Sequence, residues 1–185
     1  MITMSILDRS KDSTVRKYAE KGMADAQFDL GVMYYEGRGV TQSYSEAADW
    51  FRKAADQGLA KAQYNLGWMY WKGQGVEQSV IEAFSWWWRS AEQGFAHAQH
   101  GLGMMYRDGK GTEQSDPEAV MWFRKAADQG VPKAQYSLGM MYEQGRGVER
   151  SDAEAMYWYQ KAADGGLGMA REEMERLKKK GEYTN

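Results

Sequence analysis

The sequence predicts an all-α fold, a right-handed α/α superhelical solenoid, on three observations. The first is a period. Ala26-Gln27, Ala62-Gln63, Ala98-Gln99 and Ala134-Gln135 stand 36 residues apart, as do Leu30-Gly31, Leu66-Gly67, Leu102-Gly103 and Leu138-Gly139. The second is that every copy carries two helical apolar periods and no alternating run of the kind a strand needs. The third is punctuation, with glycines and Ser-x-x-Glu motifs at the same offsets in each copy. One helix pair cannot bury its apolar stripe alone, whereas stacked pairs share a continuous core.

In chain order, residues 1–22 form an N-terminal segment in which Asp12 to Glu20 reads as a capping helix with Val15 and Tyr18 turned inward. Four copies follow, at 23–58, 59–94, 95–130 and 131–166, and 167–185 is a final helix and tail. The first helix of a copy runs from about Ala24 to Glu36, with Ala26, Leu30, Met33 and Tyr34 at helical spacing. Gly37 stands where a left-handed C-terminal cap belongs. The second helix opens with Ser43/Glu46, Ser79/Glu82, Ser115/Glu118 or Ser151/Glu154, the spacing of a capping box. In the third copy Asp116 before Pro117 is a competing cap. Each second helix ends at Gly58 or its equivalent. In the last segment Met174 and Leu177 keep an inward stripe while Glu175 replaces the recurring glycine, as a polar-faced cap requires.

Composition excludes several classes of function. With 24 basic and 26 acidic residues the net charge is -2, which gives no electrostatic footprint for nucleic acid or an anionic membrane. No apolar stretch approaches the roughly 18 residues of a membrane span, so no membrane insertion is expected. The start lacks a continuous apolar signal region, and the cytoplasm is the expected compartment. Without cysteine there is no disulfide, thiolate metal site or thiol nucleophile. His97 and His100 share a helical face, but with only speculative co-ligands in Asp108 and Glu92 no metal is expected. The Gly-x-Gly pairs follow helices, not strands, so they form turns and no dinucleotide loop. Walker, Ser-x-x-Lys and H-E-x-x-H motifs are absent; the reading is no enzyme, no catalytic residues and no cofactor.

The pattern A-x-A-Q-x-x-L-G-x-M-Y-x-x-G-x-G-V, followed by E-A-x-x-W-[FWY]-x-[KRS]-A-A-x-x-G, resembles the Sel1-like repeat family, relatives of the tetratricopeptide repeat. The resemblance covers four full units from Met23 to Gly166 and extends into both terminal segments. It implies an adaptor or scaffold for protein–protein interaction. A cysteine-rich branch of the family is linked to beta-lactam binding, and a chain without cysteine does not fall there.

In the tetratricopeptide-like arrangement one face of each first helix lines a concave groove. That places Asp25, Phe28, Val32, Tyr35 and Glu36 on it, then Lys61, Tyr64, Trp68, Trp71 and Lys72. His97, His100, Met104, Arg107 and Asp108 follow, then Lys133, Tyr136, Met140, Glu143 and Gln144. These positions differ between copies, so the repeat itself does not demand them. The candidate partner-binding residues are Lys61, Tyr64, Trp68, Trp71, Lys72, His97, His100, Met104, Arg107, Tyr136 and Met140, centred on the second and third copies. An aromatic and methionine floor edged by Lys61, Lys72 and Arg107 suits an apolar anchor flanked by acidic groups. Phe28, Tyr64 and Tyr136 could equally pack between first helices.

The partner is expected to be a protein or peptide. A glycan or peptidoglycan-fragment binder or hydrolase, with Trp68 and Trp71 stacking on sugars, is the alternative, although Glu36 and Asp108 make an unconvincing acid pair. A third reading is self-association. Trp88 stands where other copies have Arg52, Arg124 and Gln160, so it should be exposed and is a candidate outer contact.

Overall fold

The spacing of apolar residues and caps resolves into ten helices among residues 13–182, the part of the chain that the computed structural model describes, with side chains to residue 179. Asp12 of the expected N-terminal cap lies outside the described residues. Helix α1 covers 13–20, α2 Ala24–Glu36, α3 Tyr44–Asp56, α4 Ala60–Lys72 and α5 Val80–Glu92. Helix α6 covers Ala96–Asp108, α7 Asp116–Asp128, α8 Pro132–Gln144, α9 Asp152–Asp164 and α10 Gly168–Glu182. No strand occurs among the described residues. The helices form two compact units that divide between Gln93 and Gly94, α1 to α5 in the first and α6 to α10 in the second.

Each first helix stops at a glycine in the left-handed region; Gly37 has φ 72° and its N–H bonds to the Met33 carbonyl. The serine caps form in all four copies, with Ser43 Oγ accepting from the Glu46 amide and its equivalents doing the same. The capping box is nevertheless only half made. The serine N–H, expected to meet the glutamate side chain, donates instead to the carbonyl of the preceding first helix: Ser43 to Tyr34 at 3.0 Å, Ser79 to Tyr70 at 3.0 Å, Ser115 to Tyr106 at 2.9 Å and Ser151 to Tyr142 at 3.0 Å. The connecting loop thereby uses an orphan carbonyl at one helix end to satisfy an orphan amide at the next. In the third copy Ser115 is the cap, and Asp116 lies inside the helix and forms an ion pair with Arg146.

Packing explains the Leu-Gly pair. A Cβ on Gly67 would lie 2.5 Å from Trp87 Cδ1, on Gly31 2.7 Å from Phe51 Cδ1, and on Gly139 2.7 Å from Tyr159 Cδ1. The glycine is a notch in the first helix that seats the aromatic ring of the second. The second glycine of the loop has another task. In the first unit a Cβ on Gly75 would collide with the Tyr44 backbone, and in the second one on Gly147 with the Asp116 backbone. There the loop lies against the second helix of the preceding copy.

Buried glutamines tie successive copies within each unit. Gln63 donates to the Ala55 carbonyl at 3.1 Å and accepts from Gln93 at 2.7 Å; Gln135 donates to the Ala127 carbonyl at 3.2 Å. Tryptophan and a cation three residues on repeat along the second helices, with Lys53 over Trp50, Arg89 over Trp86, Lys125 over Trp122 and Lys161 over Trp158.

At the ends, Met174 and Leu177 are buried and Glu175 is exposed, so α10 presents one apolar face to α9. On α1 the inward residues are Ala19 and, in part, Val15. Tyr18, expected inward, is exposed, because the buried stripe of this helix is one residue out of the predicted phase.

Candidate partner-binding face

The variable residues of the first helices meet the second helices of their own copies. At one position Phe28, Tyr64, His100 and Tyr136 lie over Phe51, Trp87, Phe123 and Tyr159, with ring centroids 5.5, 6.1, 5.7 and 5.4 Å apart. They pack against the ring that the glycine notch seats, and not only between first helices. This position is a lid on the core in every copy.

In the first unit Trp87 is buried beneath three aromatics of α4. Tyr64 stacks at 6.1 Å, Trp68 approaches at 6.4 Å and Trp71 stacks at 5.7 Å, all half-buried. The Trp87 indole N–H donates to the Tyr64 carbonyl at 3.0 Å. Burial pushes the Tyr64 phenol above its ordinary pKa. Trp71 thus takes part in packing, and its removal costs stability as well as any contact it makes with a partner.

Beside this cluster is a cavity of about 290 Å³ within the first unit. Helix α2 supplies Val32, Tyr35 and Glu36, and α3 supplies Phe51. Helix α4 supplies Tyr64, Asn65, Trp68 and Met69. Five of these eight were on the predicted concave face; Phe51 and Met69 are core residues reaching through it, and Asn65 gave no sequence signal. The Tyr35 hydroxyl donates to Gln74 at 3.2 Å, holding that wall in place.

The expected cationic edge is largely paired. Lys61 forms an ion pair with Asp25 at 2.9 Å and lies 4.4 Å from the Phe28 centroid. Exposed Lys72 sits over Trp68 at 5.0 Å. In the second unit Arg107 is bound by Asp108 at 2.7 Å, and its hydrogen bond holds that carboxyl below the usual range.

His100 is held by the protein itself. Its Nε2 is 3.3 Å from Ser137 Oγ, and that hydroxyl donates to the Lys133 carbonyl at 2.9 Å, so the histidine donates from Nε2. Burial, with Lys133 and Arg107 adding positive charge, lowers its pKa to about 4. His97 is exposed, with its ring edge-on to Phe95 at 5.7 Å. Met104 and Met140 are half-buried against the cores of the second unit.

The fourth copy carries a network that the sequence did not reveal. Tyr159 donates to Glu143 at 3.0 Å, Arg176 bridges Glu143 at 2.5 Å and Glu173 at 2.6 Å, and Tyr136 reaches Glu173 at 3.5 Å. Burial and the Glu143 carboxylate raise the Tyr159 phenol well above its ordinary pKa. Only the capping helix brings Glu173 and Arg176 to this face, so no comparison between copies could have found it. On the outer face Trp88 is 37% exposed beside Phe84, and Ile81 is 71% exposed.

The Sel1 repeat family matches at residues 24–59, 60–95, 96–131 and 132–167, nearly the whole described chain. The chain belongs to the Sel1 repeat family. Among solved structures it is similar to c5321, a protective antigen of uropathogenic Escherichia coli with the same fold, at 39% identity and a TM-score of 0.89 over 91% of this chain. A Sel1 repeat protein from Oxalobacter formigenes is similar at 39% identity and a TM-score of 0.84 over 92% of this chain. The chain spans only 36% and 49% of those two proteins. Helicobacter pylori cysteine rich protein B matches at 22% identity and a TM-score of 0.52, over 66% of this chain and 93% of its own, a likeness of fold alone. No curated protein matches the chain. The all-α solenoid class is that of this family, whose members are in general protein-interaction scaffolds and typically not enzymes. No helix among the described residues is long and apolar enough to cross a membrane.

Proposed function

We propose that this Sel1 repeat chain is a scaffold that holds a segment of a protein partner against the outward faces of its first helices. The observation that carries the reading is the 290 Å³ cavity in the first unit, with Tyr64 and Trp68 on its wall. A preformed site of this kind loses little conformational freedom when it binds. Half-exposed aromatic side chains are the residue type that most often dominates binding energy. The remaining candidates, on α6 and α8, belong to the second unit, and His97 is the most accessible of them.

The test is affinity capture with the wild-type chain and Trp68→Ala as matched baits, after thermal melts establish that both are folded. The partner should be retained by the wild type and by Trp88→Gln, and lost from Trp68→Ala. Equal capture by Trp68→Ala overturns the assignment. Self-association through the outer face is a second reading, favoured by Ile81 and Trp88 on one exposed side of α5. Sedimentation of Trp88→Gln at several concentrations tests it; a mass identical to that of a monomeric wild type removes it.

A further inference from the structure

We infer that the cavity of the first unit accepts a single basic side chain, arginine in preference to lysine, from the partner. This rests on the partner-binding reading above and specifies the chemistry of its anchor. The volume, about 290 Å³, is at the lower end of the roughly 300–1,000 Å³ of small-molecule sites, so it has room for one long side chain and not for a helix.

Three classes of occupant can be weighed. An aliphatic side chain would cover the apolar wall but give the Glu36 carboxylate and the Asn65 amide no partner, so it would use none of the polar groups of the lining. An acidic side chain would meet Glu36, the one ionised residue of the lining, and be repelled. A basic side chain meets neither objection. Its methylenes cover Val32 while its charge reaches Glu36 and the rings of Tyr35, Tyr64 and Trp68. A guanidinium also stacks flat on rings and pairs with a carboxylate through two N–H groups, which favours arginine.

One ring of the lining, Trp68, and one outside it, Phe28, already carry cations. Lys72 lies 5.0 Å from the Trp68 centroid and, on the same face, Lys61 lies 4.4 Å from that of Phe28. Lys61 is neutralised by Asp25 at 2.9 Å, whereas Lys72 is exposed and acts as an internal competitor for Trp68. Glu36 itself is only loosely held, by Arg38 at 3.8 Å with both side chains more than half exposed, and is free to re-pair.

The experiment is an NMR titration of the full chain with N-acetyl-arginine amide, N-acetyl-leucine amide and N-acetyl-glutamate amide. The Trp68 indole and Asn65 side-chain amide signals are followed. Saturable shifts are expected with the arginine probe and not with the other two. Glu36→Gln should weaken arginine binding about fivefold, and Lys72→Gln should strengthen it about twofold, since each removes one surface charge of opposite sign. Leucine amide binding as well as arginine amide, or insensitivity to Glu36→Gln, overturns the inference. If arginine amide does not bind but Trp68→Ala still loses the partner, the anchor is not basic and the binding face stands. If Trp68→Ala keeps the partner, the binding face itself is wrong.

Discussion

In the second copy the ring seated in the glycine notch is Trp87, and the first-helix residues over it are Tyr64, Trp68 and Trp71. In the fourth copy the seated ring is Tyr159, and the same positions hold Tyr136, Met140 and Glu143. The backbone frame is the same in both, down to the notch and the serine cap. One copy closes its face with stacked rings and the other with a hydrogen-bonded ion network through Arg176. The difference teaches that the repeat specifies the seated ring and its notch, while what covers the ring is open to local purpose. An aromatic cover leaves apolar surface available to a ligand. A carboxylate already engaged by Arg176 and Tyr159 does not.

The seated ring of the second copy is the most costly to remove. Trp87→Ala removes a buried side chain that three aromatics contact and should cost about 3–5 kcal/mol, read as a lower urea midpoint. A loss below about 1 kcal/mol would mean that the stack of the second copy is not core.

His100, the third copy's lid over Phe123, gives a pH test. Its pKa of about 4 in the folded chain lies below the ordinary 6.5. The unfolded chain therefore binds a proton first as pH falls. This contribution to stability is complete above pH 6.5 and is lost between about pH 6.5 and 4, on the order of 3 kcal/mol in total. The wild type should lose more stability than His100→Gln between pH 7 and pH 4.5. Parallel pH profiles for the two proteins would place the ring in solvent.

Gly67→Ala tests the notch directly. With its new methyl 2.5 Å from the Trp87 ring, the variant should lose about 1–3 kcal/mol in the same denaturation assay. Gly168→Ala, where a Cβ would meet nothing within 4 Å, is the neutral control.

The smallest effect sharpens the fourth copy. Tyr159→Phe keeps the seated ring and removes only the hydroxyl donated to Glu143, which should cost about 1.5 kcal/mol because the acceptor is charged. Loss of the same size in a Glu143→Gln background would show that the bond does not draw on that charge.

Much of the fold was legible because the period repeats every local requirement four times. Helix bounds of Ala24–Glu36, the left-handed Gly37 and the serine caps all follow from residue types whose preferences are local. The candidate face was legible in part. Comparison between copies picked out Tyr64 and Trp68, because positions that vary against a constant background stand out. Asn65 was invisible, since one amide on a helix carries no spacing signal. So was the pairing of Lys61 with Asp25, residues that no single helix brings together.

By itself the sequence determined the family, the helix-pair architecture and the positions of glycine, serine and alanine, because these answer to backbone geometry and to a period that needs no distant partner. Only the tertiary structure decided which side chains meet. It gave the serine amide to a carbonyl of the preceding helix, closed the fourth copy with Arg176, and opened a cavity between α2 and α4 of the first unit. The physical reason is that hydrogen bonds, ion pairs and voids depend on distances of a few ångströms between helices. Apolar periodicity sets only which face of each helix turns inward.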